Sequence, residues 1–268
     1  MTAPKDRIYE FIANIRNRHV SRCGACTAAS TMIFVFRHFR CTLPSVFDDR
    51  KVYYPLWCGP SCRCAAPGEL CDNAGQNISK YNPYLNEMTG IFWVASHYKE
   101  LGDPEYVGFN HYRRHLEWTP SLTAKGTIIA TSVTILQKIG YWLRLTIPSP
   151  HLQPTLDALA DTLAANGCHD FRQYLASHRV YARNMFITDR ETFFRYFSFI
   201  KRYISLFMSE VDRSEETLSF APPAQKRLYG YLLEQLTSYW IWREKRTKQS
   251  TVITTYVQDF TVENNGKN

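Results

Sequence analysis

The sequence predicts an α/β fold, a mostly parallel sheet with a helical C-terminal half, from three observations. Residues 31–39, TMIFVFRHF, form a near-continuous β-branched and aromatic run, as in a strand covered on both faces of a parallel sheet. That run, a helical segment at 82–101 and strand segments ending near 110 and 133 give the parallel α/β rhythm. Beyond residue 150 the apolar spacing turns helical over 151–167, 190–211 and 222–246.

The elements follow in order. Residues 5–20 read as a short helix with Ile8, Phe11, Ile12 and Ile15 on one face, an appendage spanning 1–30. A single domain is expected over 31–260 and a disordered tail over 261–268. After the strand at 31–39, residues 51–60 give a short extended segment closed by Gly59-Pro60. Residues 60–80 are rich in Gly, Pro, Cys, Asn and Ser and read as a long loop, a frequent carrier of function. In the 82–101 helix, Asn82 is a candidate cap, Pro83 takes the first helical position, and Leu85, Met88, Ile91, Phe92 and Ala95 form the buried stripe. Residues 105–110 and 126–133 read as strands, 181–189 as a short extended segment, and 250–260 as a closing strand.

Composition narrows the function classes. With 268 residues, 45% of them apolar, the chain can bury the core of one large domain. A net charge of +8 is compatible with nucleic acid, an anionic membrane surface or phosphorylated small molecules. No block of five or more Lys/Arg, RNA-binding aromatic signature or zinc-finger helix is present, so no nucleic-acid partner is expected. The basic-aromatic stretches 201–208 and 239–246 suit either a membrane surface or core packing. No apolar run reaches membrane-spanning length and the first twenty residues lack a secretory pattern, so a cytoplasmic location is expected, with peripheral contact to the inner membrane face as its extension. The eight cysteines are expected as reduced thiols. Structural zinc on Cys23/Cys26 is the alternative, because Cys58, Cys62, Cys64 and Cys71 supply only half of a second ligand pair's spacing.

Four polar clusters could carry chemistry. The loop DNAGQNISKYN (72–82) offers carboxyl, amide and hydroxyl groups that suit a sugar or nucleotide, with a polar loop that caps the next helix as the ordinary reading. Glu87 stands among apolar neighbours, either at the edge of the buried stripe or as a poised acid or base. The strand beginning at 105 runs into Asn110-His111-Tyr112-Arg113-Arg114-His115, by itself a solvated strand end, or else a site for something negatively charged, since ligands bind there in open α/β sheets and arginine forks suit phosphate. Arg227 and Glu234 share a helix face, with a structural salt bridge as the ordinary reading of each. Dinucleotide, phosphate-loop, nucleophile-elbow and HExxH motifs are absent.

In this order the motifs YYPLWCG (53–59), DNAGQNISKYN (72–82), NEMT (86–89), EYVGFNHYRRHL (105–116), NMFITDRETFFRYF (184–197) and RLYGYLLEQL (227–236) resemble a domain family of unknown function. That family occurs in capsular and exopolysaccharide biosynthesis glycosyltransferases. The resemblance runs from about residue 31 to 245, and the chain departs from the family's pattern at Gln76, Asn86, His115 and Gln235. It implies a GT-A-like nucleotide-sugar-dependent transferase, hexosyl or galactofuranosyl in type, acting on a polysaccharide or lipid-linked oligosaccharide acceptor. No Asp-x-Asp pair stands at the strand end, so the expectation is that Arg113, Arg114 and His111 neutralise leaving-group charge in place of, or beside, a divalent metal. Glu87 is the preferred general base, followed by Glu234 and then Asp72. Asn77 and Ser79 are assigned to sugar or ribose hydroxyls, and Asp72 and Arg227 join the donor-binding set. A non-catalytic nucleotide- or carbohydrate-binding relative and a zinc-containing interaction protein are the alternatives.

Overall fold

Strand β1 (Thr31–Arg37) sits at the heart of a mixed sheet, parallel to β2 (Tyr53–Trp57) on one side and to β4 (Tyr106–His111) on the other. This computed structural model describes residues 30–39 and 41–261; the helix expected over 5–20, the Cys23/Cys26 pair and the tail from 262 lie outside that range. The sheet order is β3-β2-β1-β4-β7-β6-β8, completed by β3 (Leu70–Cys71), β6 (Thr127–Thr134), β7 (Arg179–Asp189) and β8 (Thr251–Thr254). Along this path only β7 runs against its neighbours, β4 and β6, so the central sheet is mostly parallel, as expected. The predicted closing strand is two strands, β8 and β9 (Val257–Asp259). β5 (Arg114–Leu116) folds back from the end of β4 and pairs with β9, which brings the end of the chain beside the HYRR segment.

The run at 31–39 is apolar on both sides because both faces of the sheet are covered. Met32, Phe34 and Phe36 enter the larger core, while Ile33 and Val35 enter a smaller one with Phe47, Tyr53, Leu116, Met185 and Ile187. His115 is buried at that smaller core, where its Nε2 lies 2.8 Å from the Tyr53 hydroxyl. The larger core takes the apolar faces of the helices. The helix expected over 82–101 is broken into α1 (Asn82–Leu85) and α2 (Met88–Ser96). The break is Asn86, whose φ of +55° with ψ −137° lies outside both helical regions and ends the helix. Asn82 does not cap. It is already helical, and its Nδ2 donates to the Asn86 carbonyl at 2.8 Å and to Thr89 Oγ1 at 3.0 Å.

Two short helices escaped the periodicity, α3 (Ile139–Thr146) and α5 (Phe171–Leu175), on either side of the expected α4 (Leu152–Ala165). Helix α6 (Arg190–Ser219) outruns its apolar stripe by two turns, because its polar end is solvated and carries an Arg213–Glu210 pair. The last helical stretch divides into α7 (Pro223–Lys226) and α8 (Leu228–Thr247). Core packing is what the basic-aromatic stretches do: Tyr203, Ile204 and Phe207 of one, and Tyr239, Trp240 and Ile241 of the other, are buried. Exposed apolar side chains are scattered, Leu206 of the first stretch among them, and three of them, Leu136, Tyr141 and Leu145, lie on and just before α3. No helix among the described residues is long and apolar enough to cross a membrane.

Candidate active site

Parallel pairing sets Phe36 of β1 opposite His111 of β4, so both strands end at the same edge of the sheet. His38 follows one residue beyond β1, and its ring lies 5.7 Å from that of His111. The break at Asn86 turns the chain so that Glu87, just ahead of α2, reaches both imidazoles. Its Oε1 stands 3.3 Å from His38 Nε2 and 3.8 Å from His111 Nε2. All three side chains are mostly buried, at 24%, 14% and 12% exposed for His38, Glu87 and His111.

Burial pushes the Glu87 carboxyl up, but the His38 contact and charge, with His111 behind them, outweigh it and hold Glu87 at about 2. Burial pushes His111 down to about 3; Glu87 opposes this, while His38, Arg114 and Arg113 add to it. His111 is therefore neutral at pH 7.

A second carboxylate faces the same place from α8. Burial and then the charge of Glu87 push Glu234 up to about 7, against the pull of Arg183 and Arg114. The Arg183 backbone N–H donates to Glu234 Oε1 at 2.7 Å. This bond holds an irregular segment of β7, where the register with β6 slips between Ala130 and Ser132. Arg183 and Asn184 both have positive φ there, +76° and +53°. Two consecutive non-glycine residues in that region cost about 1 kcal/mol or more each, and such strain collects at functional sites. Asn184 is buried, and its Oδ1 has no hydrogen-bond partner.

The cations form a rim. Arg114 Nε donates to Asp259 Oδ1 at 2.7 Å, and Arg183 reaches the same carboxylate at 3.3 Å. Arg113 is exposed, lies 5.8 Å from the centre of the Tyr112 ring, and makes no ion pair among the described residues.

The loop residues are placed differently from expectation. Asp72 is fully buried and accepts from the Gly59 N–H at 2.8 Å, the Ser79 hydroxyl at 2.5 Å and the Thr89 hydroxyl at 2.6 Å. Asn77 is exposed, but its amide donates to the carbonyls of Asn73 and Gly75 and its oxygen accepts from the Ser79 N–H. Asp72, Asn77 and Ser79 are thus engaged in building the loop that supports α1 and α2. Arg227 donates to Asn86 Oδ1 at 2.7 Å, and Gly230 packs so closely on Asn86 that a Cβ there would come within 2.1 Å of its Nδ2. That contact docks α8 on the helix break and brings Glu234 within electrostatic range of Glu87.

His38, Arg183 and Asn184 were missed. A strand ending on an imidazole beside a second strand that also ends on one was the available signal for His38. A cavity of about 360 Å³ lined by Thr31, Lys51, Tyr54, Pro104 and Trp118 lies at the opposite, N-terminal ends of β1 and β4 and holds none of these groups. No disulfide joins the six described cysteines.

A family model described as a domain of unknown function, DUF4422, matches residues 32–143 and 147–247. The chain belongs to the DUF4422 family. Every group of the site except Asp259 falls inside the matched span. The DUF4422 chain also superposes on a solved structure described as a WbbM bifunctional glycosyltransferase in its apo form, with a TM-score of 0.64 and 20% identity. The match covers 87% of this chain and 45% of that one, so this chain spans less than half of that protein. The likeness is one of fold: a mixed α/β, mostly parallel sheet with helices, similar to a glycosyltransferase structure. No curated protein matches the chain.

Proposed function

We propose that this DUF4422 domain is a glycosyltransferase moving a sugar from a nucleotide-sugar donor to a polysaccharide or lipid-linked oligosaccharide acceptor in surface polysaccharide biosynthesis. One observation carries the reading: where β1 and β4 end, an ionised carboxylate, a carboxylate raised to about 7 and an unpaired arginine converge on a glycosyltransferase-like fold. In the inverting form of the reaction, the acceptor oxygen bonds to the anomeric carbon while the bond from that carbon to the diphosphate breaks. The acceptor proton goes to a carboxylate, and the electron pair leaves with the diphosphate oxygen.

The base is Glu234 rather than Glu87. A proton acceptor works best with an affinity near the working pH. Glu234 meets that condition, whereas Glu87 is held at about 2 by its imidazole neighbours. Arg113, with Arg114 beside it, stands ready to offset charge developing on the leaving diphosphate. The exposed Leu136, Tyr141 and Leu145, near Lys138 and Arg144, give a lipid-linked acceptor at a cytoplasmic membrane surface an apolar and cationic face to approach.

The test is a melting-temperature screen against nucleoside diphosphates and nucleotide sugars, followed by turnover assays on those that bind. Stabilisation by a nucleotide sugar together with its hydrolysis or transfer is the expected result. A panel without binding would remove the transferase reading, and binding without turnover would favour a non-catalytic relative.

A further inference from the structure

We infer that His38, Glu87 and His111 bind a first-row divalent cation, and that a nucleoside diphosphate completes the shell of that ion. The second half rests on the glycosyltransferase reading; the first half stands without it. The three side chains come from three separate elements, and their donor atoms all lie within 4.8 Å of one another. Nitrogen and oxygen donors about 2.1 Å from a common ion stand roughly 3.0–3.4 Å apart. The His38–Glu87 distance of 3.3 Å already meets that spacing, and the His111–Glu87 distance of 3.8 Å needs a shift of a few tenths of an ångström. His38 Nε2 is buried without a hydrogen-bond partner even though the Glu87 oxygen is so near. An ion held between the two would give that buried nitrogen a partner.

Donor chemistry selects the ion. Two imidazoles and one carboxylate suit zinc, cobalt, iron or manganese better than calcium or magnesium, which take oxygen ligands. Three protein donors leave such an ion short of a full shell, with room for phosphate oxygens. The nearby arginines oppose a cation, but Arg114 and Arg183 are both paired with Asp259. Glu234 supplies further negative charge within electrostatic range of Glu87. This arrangement would do at the strand ends of β1 and β4 what the missing Asp-x-Asp pair does in many proteins of this fold.

Cobalt(II) is the probe, added to the full chain after removal of metals by chelation, with binding followed by visible absorption and calorimetry. The expected result is one equivalent bound through nitrogen and oxygen, without the intense thiolate charge-transfer band that a cysteine site gives. His38→Ala and Glu87→Gln should each weaken binding by more than about 100-fold, beyond the loss of an outer-shell partner. A Cys23→Ser/Cys26→Ser double variant should leave it unchanged. His38 packs against His111 and Tyr112, so its truncation is expected to lower the metal-free melting temperature by several degrees without unfolding the chain, and circular dichroism of the metal-free variant separates ligand loss from misfolding. Uridine diphosphate should raise the cobalt affinity at least about tenfold, within the usual range of coupling between two ligands. Absence of binding, binding unchanged in both ligand variants, or no effect of the diphosphate would overturn the corresponding half of the inference. Sugar-nucleotide turnover that persists in excess chelator would remove the cation and leave the transferase reading standing. Cobalt bound by these ligands in a protein that neither binds nor turns over any nucleotide sugar would do the reverse.

Discussion

Replacing Glu234 by Gln separates the two carboxylates. The side chain keeps its length and a carbonyl oxygen that can still accept the Arg183 N–H, now 2.7 Å from Glu234 Oε1. The strained β7 segment therefore keeps its support, and the change from a charged to a neutral acceptor should cost no more than about 1 kcal/mol. For a domain of this size that is a fall in melting temperature of roughly 2–4 °C. Catalysis should respond on another scale. Losing a positioned proton acceptor typically removes about 10²–10⁴-fold in rate, or roughly 3–5 kcal/mol of barrier. The loss should fall on kcat, with donor affinity measured by calorimetry nearly unchanged, because the base meets the acceptor hydroxyl rather than the donor. In the parent, turnover should rise with pH and level off above about 7 as Glu234 loses its proton. A cation beside Glu87 would move that inflection lower. The assay is initial-rate transfer across pH for parent and variant. A folded Glu234→Gln protein that retains turnover within about threefold of the parent would refute the assignment, since so small a change lies far below what a base contributes.

Other outcomes follow from the same geometry. Gly230→Ala drives a methyl group into Asn86, which is pinned by Arg227, so overpacking of about 1–3 kcal/mol and a melting temperature lower by several degrees are expected in a thermal scan. Asp72→Ala leaves the Gly59 N–H and the Ser79 and Thr89 hydroxyls without their acceptor; a loss of roughly 3–5 kcal/mol in denaturant titration is expected, in contrast to the small stability change of a ligand-contact residue. Arg113→Ala should leave stability unchanged and weaken nucleoside diphosphate binding by about tenfold, less so at high salt. Glu234 binds its proton more tightly when folded, about 7 against 4.5, so the stability it contributes is full below pH 4.5 and is lost as pH rises through 7. In chelator, Glu234→Gln should therefore gain on the parent across that window, by about 1–2 kcal/mol after allowing for partial exposure, and a flat difference would count against the raised carboxyl.

Much of this molecule was legible because the relevant physics is local. The run at 31–39 declares a strand covered on two faces, the helical spacing at 151–167 and 190–211 survives in α4 and α6, and HYRR does stand at the end of β4. Motif order resembled the family that the match across residues 32–247 shows. Site assignments fared differently, because they depend on contacts between distant parts of the chain. Nothing near Asp72 reveals that Thr89 and Gly59 will enclose it, and nothing near Asn86 reveals that Gly230 and Arg227 will hold it in a helix-breaking conformation. The choice between Glu87 and Glu234 was beyond the sequence for the same reason. Both are glutamates among apolar neighbours, and only their surroundings divide them. The contact with His38 lowers the first, while burial beside that first charge raises the second to about 7. The amino-acid pattern by itself determined the sheet and placed cationic and imidazole side chains at its edge. The tertiary structure decided which carboxylate those groups surround, since electrostatic environment is set by what packs together rather than by what is adjacent in the chain.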